Sequence, residues 1–353
     1  MTRSLLITGG AGFIGANFVR YWCEHYASDR VVVLDALTYA GDRTRLADLE
    51  ARGAMCFVHG DIGDGALVRS LLVQHGITHV VHLAAESHVD RSIASAEAFV
   101  RTNVWGTHTL LEAVRDVWHS AGVWREGVRF HQVSTDEVFG ALAPHEAPFT
   151  EASRYQPSSP YAASKAAADH FVRAAGRTHG LPYTISHCAN NYGPHQYPEK
   201  LIPLMVRRAL RGESLPLYGD GAQTREWLHV HDHSRQLAQL LLAPDIVGQS
   251  FNLGSRTERT NAEVVRLICA HLDARFAADT SLAVRYPNCP SARGVSCATL
   301  VQHVADRPGH DRRYALDTTK YVERFGRTGM VEFEVGLGAT IDWYLERLES
   351  EIG

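Results

Sequence analysis

The chain has 353 residues, 45% of them hydrophobic and 21% charged, with a formal net charge of −4. That length suits one large α/β domain or a main domain with a smaller partner, and the composition excludes a disordered chain. The near-neutral balance leaves no electrostatic footprint for nucleic acid or an anionic membrane, and no segment has the roughly 20 apolar residues that a spanning helix needs.

The opening "MTRSLLITGGAGFIG" reads as mature structure, because Gly9 and Gly10 break the apolar run before it could serve as a secretory leader. Cys23, Cys56, Cys188, Cys269, Cys289 and Cys297 are scattered with no C-x-x-C pair. Neither a disulfide framework nor a zinc ribbon is expected, and a reducing cytoplasm is the simplest setting.

Along the first half, "SLLITG", "VVVLD", "MCFVHGD", "THVVHLAA" and "VRFHQVST" have the form of strands separated by segments of helical period. Such alternation predicts parallel strands with right-handed helical crossovers, and nearly continuous apolar runs suit strands buried on both faces. In "ITGGAGFIGANF", Gly10, Gly12 and Gly15 have G-x-G-x-x-G spacing, and Gly9, Gly12 and Gly15 have G-x-x-G-x-x-G spacing. After a strand and at the start of a helix, such glycines let the backbone approach a pyrophosphate. Asp35 ends the second strand, where a carboxylate can bind the adenosine ribose hydroxyls; with Ala36 beside it, NAD is expected rather than NADP.

The fifth strand runs into "QVSTDEVFGA", with Asp136 and Glu137 side by side after Thr135. Adjacent strand residues point to opposite faces, so the chain must leave β geometry here if both acids are to reach one substrate. Residues 160–178, "PYAASKAAADHFVRAAGRT", are predicted as a helix that opens on Pro160 and places Tyr161 and Lys165 on one face. Tyr161, as phenolate, would accept the proton of an alcohol as hydride leaves for NAD. Lys165 would support that charge and hold the nicotinamide ribose, and Thr135 would hydrogen-bond the same alcohol oxygen.

Beyond residue 190 the pattern becomes irregular, with prolines and glycines in "NYGPHQYPEKLIP" and "LPLYGDGAQTREW", a composition suited to loops and short elements. Residues 227–254 could return a helix and a strand to the main sheet. In "LHVHDHS", His229, His231 and His233 recur at two-residue spacing, which could bind zinc on one strand face; packing and surface roles are favoured, and no metal is expected.

Together, "TGGAGFIG", "LDALTYAG", "HGDI", "LAAESHVDRSI", "STDEVFG", "YAASKAAADH", "NNYGPHQYPEKLIP", "YGDGAQTREWLHV" and "DRPGHDRRYALD" resemble the dTDP-glucose 4,6-dehydratases, which are extended short-chain dehydrogenase/reductases. The resemblance implies an α/β, Rossmann-type doubly wound parallel sheet with a smaller, interleaved C-terminal substrate domain. The expected division is an NAD-binding domain over 1–189 with 227–254, and a nucleotide-sugar domain over 190–226 and 255–353. The implied chemistry is NAD-dependent oxidation at sugar C4, elimination of water across C5 and C6, and return of hydride to C6. Glu137 is then the base at C5, and Asp136 the acid at the departing C6 hydroxyl. Asp136 can donate only if burial and its charged neighbour raise its pKa.

For the cofactor, the resemblance places Phe13 and Ile14 along the pyrophosphate, Asp35, Ala36, Leu37 and Thr38 around the ribose, and Asp61 with Ile62 at adenine. Leu83, Ala84, Ala85 and Thr102 would line the cleft, with Asn191 nearby. For the substrate it implies Ser87, Thr135 and Asn190 at the sugar, and Lys200, Leu201, Pro216, Tyr218, Arg225, Asn261, Arg307 and His310 around the nucleotide. A homodimer through helices near 100–118 and 160–178 is also implied.

Two features depart from the family: the run over 272–302, and Phe139 at a position where tyrosine is common. Another nucleotide-sugar 4,6-dehydratase, or an NAD-dependent epimerase or decarboxylase, is the nearest rival. The pair Asp136 and Glu137 argues against an epimerase, and intact Thr135, Tyr161 and Lys165 argue against a silent NAD-binding sensor.

Overall fold

The computed structural model describes residues 2–306, 311–327 and 329–348. The five apolar runs become strands β1 (Ser4–Thr8), β2 (Arg30–Asp35), β3 (Cys56–His59), β4 (His79–His82) and β5 (Arg129–Thr135). They are followed by β6 (Tyr183–Cys188), β7 (Asn190–Tyr192), β8 (Leu215–Tyr218), β9 (Thr224–His229), β10 (Gln249–Leu253), β11 (Glu258–Thr260) and β12 (Val301–Val304). Seven of them form one sheet in the order β10-β6-β5-β4-β1-β2-β3, with every neighbouring pair parallel. Chain order runs outward from β1 through β2 to β3, then restarts at β4 on the other side. That reversal opens a crevice at the carboxyl ends of β1 and β4, the usual ligand position in such sheets.

Period-two alternation sends the apolar residues of each strand to two separate layers. Leu5, Ile7, Val31, Val33, Val81 and Val133 pack with Phe18, Val19 and Trp22 of helix α1 (Phe13–His25). Leu6, Val32, Leu34, Val80 and Phe130 pack with Leu110, Leu111, Val114 and Trp118 of α2 (Thr107–Trp118). Burying each large aliphatic side chain contributes about 1.5–3 kcal/mol, so the two-sided runs are what fix the sheet.

The predicted helix at 160–178 is α3 (Pro160–His179), capped by Ser159, whose Oγ accepts from Ala162 N–H at 3.1 Å. Residues 227–254 do return to the main sheet, as α5 (Val230–Leu242) and strand β10, with α4 (Leu201–Arg211) preceding them. The region beyond 190 is more regular than its prolines and glycines suggest. It contains α4, the 18-residue α6 (Asn261–Ala278) and the 15-residue α7 (Phe333–Arg347). Thr260 and Glu263 form a reciprocal capping box that starts α6. Met205, Val206, Ile268, Leu272, Leu337 and Ile341 from these helices build a second core. Strand β8 pairs with β12, and β9 lies between β7 and β11.

His131 crosses the middle of the sheet, fully buried, with Nδ1 2.8 Å from Thr184 Oγ1 and Nε2 3.0 Å from Ser186 Oγ. Burial pulls its pKa down to about 3. The folded state therefore refuses a proton that the unfolded chain accepts below about pH 6.5, and stability falls as pH drops through that window. Between pH 6.5 and 5 this one ring accounts for about 2 kcal/mol of lost stability. Denaturant titrations of His131→Gln should show a decline shallower by that amount; equal declines in variant and parent would contradict it.

Candidate active site

A cleft of about 310 Å³ opens at the carboxyl ends of β1, β2, β4, β5 and β6. Its floor is the glycine turn. Gly9 has φ of +71°, and a Cβ there would fall 2.6 Å from Ala84 N. A Cβ on Gly15 would fall 2.1 Å from Gly9 O, so the turn and α1 can meet only as glycine. Gly12 differs: an added Cβ would approach only Gly9 O, at 3.2 Å, and otherwise enters open space. Gly12 is the N-cap of α1, which has no side-chain cap and no acidic residue in its first turn. The helix thus presents bare N–H groups to the cleft, a setting that suits a pyrophosphate.

Asp35 closes β2 with both carboxylate oxygens engaged, accepting from Ala11 N–H and Leu37 N–H at 2.8 Å each. A carboxylate has about four acceptor sites, so lone pairs remain for ribose hydroxyls. Arg45 lies close by, but its guanidinium donates to the carbonyls of Ala11 and Ala40 at 2.9 and 2.8 Å. Ala36, Thr38, Asp61, Ile62, Leu83, Ala84, Ala85, Thr102 and Asn191 line the cleft with Phe13 and Ile14. Leu37 does not line it; it turns the chain in the left-handed region, at φ of +50°.

At the end of β5 the chain leaves β geometry, as two adjacent acids in one site require. Asp136–Phe139 forms a 3-10 turn, and Thr135 caps it by accepting from Glu137 N–H at 3.3 Å. Both acids consequently line the same cleft, with Thr135, Tyr161 and Lys165. Asp136 is 2% exposed; Oδ1 accepts from the Thr135 hydroxyl at 3.2 Å, and Oδ2 has no partner among the described residues. Burial, then the charges of Glu137 and Glu226, push Asp136 well above the carboxylate range. Burial also raises Glu137, against the pull of Lys200 and Arg225.

Tyr161 departs from the expected electrostatics. Burial and then the Glu137 carboxylate push its phenol well above the ordinary value, while the Thr135 hydroxyl pulls the other way. Lys165 Nζ instead donates to Val133 O at 2.8 Å, which binds it to β5. The chain's own groups hold Tyr161 as the neutral phenol.

Beneath Lys165 is a network that the motifs did not reveal. Asp169, fully buried one turn along α3, accepts from Ser134 Oγ at 2.7 Å and Tyr155 Oη at 3.0 Å, and lies 3.5 Å from His187 Nε2. Burial alone would raise Asp169, but His187, Lys165 and Ser134 together hold it below the carboxylate range. Its i+4 spacing from Lys165 was the available signal. A second overlooked residue is Asn103, in a π-helical stretch over Val100–Gly106. It bonds both backbone groups of Glu86 and donates to Ser164 Oγ at 2.8 Å, joining the loop after β4 to α3.

The histidine run has separate duties. His229 ends β9, whereas His231 and His233 lie on α5. His233 Nδ1 sits 2.9 Å from Asn191 Oδ1 and orients that side chain at the cleft. Among the described residues no set of three or more His, Cys, Asp or Glu side chains converges as a metal site.

On the substrate side, Ser87, Asn190 and Lys200 line the cleft, and Lys200 Nζ donates to Ser87 O at 3.1 Å. Leu201, Pro216, Tyr218, Arg225 and Asn261 lie outside its walls. Arg225 is nonetheless close enough to lower both acids, and donates to the carbonyls of Thr224 and Asp311 at 2.8 and 2.9 Å. Arg307 and His310 fall outside the described residues.

Residues 6–340 match the family described as GDP-mannose 4,6 dehydratase. A dTDP-glucose 4,6-dehydratase of Xanthomonas campestris pv. campestris (strain B100) is 50% identical over 341 residues, covering 96% of this chain and 92% of the relative. The chain belongs to the family of the dTDP-glucose 4,6-dehydratases. Its fold agrees: the solved DesIV, a dTDP-glucose 4,6-dehydratase from Streptomyces venezuelae with NAD and TYD bound, superposes with a TM-score of 0.85 at 44% identity, covering 98% of each chain. A UDP-glucose 4-epimerase from Thermus thermophilus, solved with NAD, shares the fold at a TM-score of 0.80 but only 26% identity, over 97% of this chain and 98% of its own. The family's dehydratases are thus nearer in sequence than this epimerase on the same scaffold.

Proposed function

We propose that this chain is a dTDP-glucose 4,6-dehydratase, an NAD-dependent hydro-lyase that yields dTDP-4-keto-6-deoxyglucose. The observation that carries the assignment is the turn after Thr135, which brings Asp136 and Glu137 into the cleft that also holds Tyr161 and Lys165. An epimerase needs no such pair.

NAD, when bound, supplies the hydride acceptor for oxidation at C4 and the hydride donor for reduction at C6, together with a positive charge on its oxidised ring. The glycine turn and the bare start of α1 hold its pyrophosphate, and Asp35 its ribose. Thr135 and Tyr161 hydrogen-bond the sugar C4 hydroxyl; the positive nicotinamide would favour loss of the Tyr161 proton, and the phenolate oxygen then accepts the proton of the hydroxyl. Lys165, fixed by Val133 O and charged against Asp169, orients the nicotinamide ribose. The new C4 ketone acidifies the C5 hydrogen, which Glu137 removes. Asp136, held protonated by its surroundings, donates to the C6 hydroxyl as water leaves. Mass spectrometry of dTDP-glucose incubated with protein and catalytic NAD should show loss of one water; unchanged substrate with folded, loaded protein would overturn the assignment.

Residues 1–189 and 227–254 hold NAD, and 190–226 with 255–353 hold the nucleotide sugar, Leu201, Pro216, Tyr218, Arg225, Asn261, Arg307 and His310 serving the nucleotide end. The protein works in the cytoplasm, a setting consistent with six free cysteines. Among the described residues no helix is long and apolar enough to cross a membrane.

The functional unit is a homodimer built on α2 and α3. Trp105 is 61% exposed, Val100 54% and Phe171 42%, and rings step from Trp105 to His108 to Phe171 at 5.4 and 5.7 Å. An apolar strip across two helices is what such an interface buries. Trp105→Glu should raise the dimer dissociation constant at least about tenfold in analytical ultracentrifugation, given the weight of tryptophan at interface centres; an unchanged sedimentation profile would place the interface elsewhere.

A further inference from the structure

Cys289 and Cys297 are eight positions apart in sequence, and their sulfurs lie 3.5 Å from each other beside the second core. Both are fully buried free thiols. The turn joining them consists of two short 3-10 helices, Pro290–Arg293 and Cys297–Leu300, and its outer residues, 293–296, are exposed. Asp273 of α6 anchors this turn, accepting from Ser291 Oγ and Ser296 Oγ at 2.6 Å each and from Cys297 N–H at 2.9 Å. Ser291 Oγ also lies 3.0 Å from the Cys297 sulfur.

The shared contact couples the two thiols, so that the loss of a proton from one is supported by the S–H of the other. Whichever sulfur reacts first, its neighbour is placed to follow. Closing the pair to an S–S bond of about 2.05 Å asks the sulfurs to approach by roughly 1.5 Å. The exposed outer turn is the side from which a reagent would approach the pair.

We propose that Cys289 and Cys297 form a reversible dithiol/disulfide site, in which one sulfur attacks a small-molecule disulfide and the other resolves the adduct. With oxidised glutathione, the attacking thiolate bonds to one glutathione sulfur and the other glutathione leaves as thiolate, taking up a proton. The second cysteine then loses its proton, bonds to the sulfur of the first and releases the remaining glutathione. The protein gives up two protons and two electrons, and one glutathione disulfide becomes two thiols. The bond fastens the turn that leads directly into β12, the partner of β8.

The test uses holoenzyme carrying Cys56→Ser, which removes the one exposed cysteine. After incubation with oxidised glutathione, peptide mapping without reductant should find Cys289 joined to Cys297, two hydrogens lighter and restored by dithiothreitol. Adding Cys297→Ser should trap glutathione on Cys289, and adding Cys289→Ser instead should trap it on Cys297, with no internal bond in either variant. Two free thiols after prolonged oxidation of the Cys56→Ser protein, or a glutathione adduct that persists on either cysteine with no internal bond formed, would overturn the proposal.

Discussion

Glu137→Gln should cut proton removal at C5 by about 10²–10⁴-fold, the usual contribution of a positioned general base. The amide matches the carboxylate in size and keeps the Glu137 N–H bonded to Thr135 Oγ1 at 3.3 Å, so the turn and the cleft survive. What disappears is the only feature the reaction uses, a carboxylate able to take a proton. The loss should appear in kcat rather than KM, because the ground-state sugar binds equally well to acid or amide. The check is deuterium exchange at C5 of the bound sugar, followed by mass spectrometry. Exchange at the parent rate would remove Glu137 from the base role.

Asp136→Asn should produce a loss of similar size with a different pH signature. Asp136 is raised by burial and by Glu137 and Glu226, so it stays protonated above the usual carboxylate range. Activity that needs this proton declines as pH rises through the raised pKa. The opposite limb, rising with pH, comes from groups that must lose a proton, Glu137 and Tyr161, both also raised by burial. The parent profile is therefore a bell whose limbs are macroscopic properties of a coupled group. The asparagine variant should retain the rising limb and lose the falling one. A variant whose rate still falls at high pH as steeply as the parent's would assign that limb, and the acid, to another residue.

Features encoded over short spans were legible in the chain. Gly9, Gly12, Gly15 and Asp35 carry their function in spacing alone, since a strand, a tight turn and a helix fix where each backbone group goes. Tyr161 and Lys165 share a face because a helix repeats every 3.6 residues. Asp136 and Glu137 could be singled out, but whether both reached one cleft depended on Thr135 acting as a cap, which period-two strand reasoning does not foresee. Less visible still was the support beneath them. Asp169, Ser134, Tyr155 and His187 come from separate parts of the chain, and only the closed sheet brings them together. The histidines of "LHVHDHS" separate because helix α5 begins at Val230, converting an apparent strand repeat into a β9 terminus, an exposed helix position and an anchor for Asn191. The length of α6 was hidden because its flanks, rich in proline and glycine, dominate the local composition. Lys165 shares a helix face with Tyr161 as its spacing requires, but its bond to the Val133 carbonyl could not be read from that spacing.

The most direct measurement is proton NMR of the purified protein with dTDP-glucose and catalytic NAD in deuterated water. The account predicts a new C6 methyl signal with deuterium at C5, the record of water leaving across C5 and C6 after exchange at Glu137. Folded, NAD-loaded protein that leaves C6 as a hydroxymethyl group, or that only inverts C4, would contradict it.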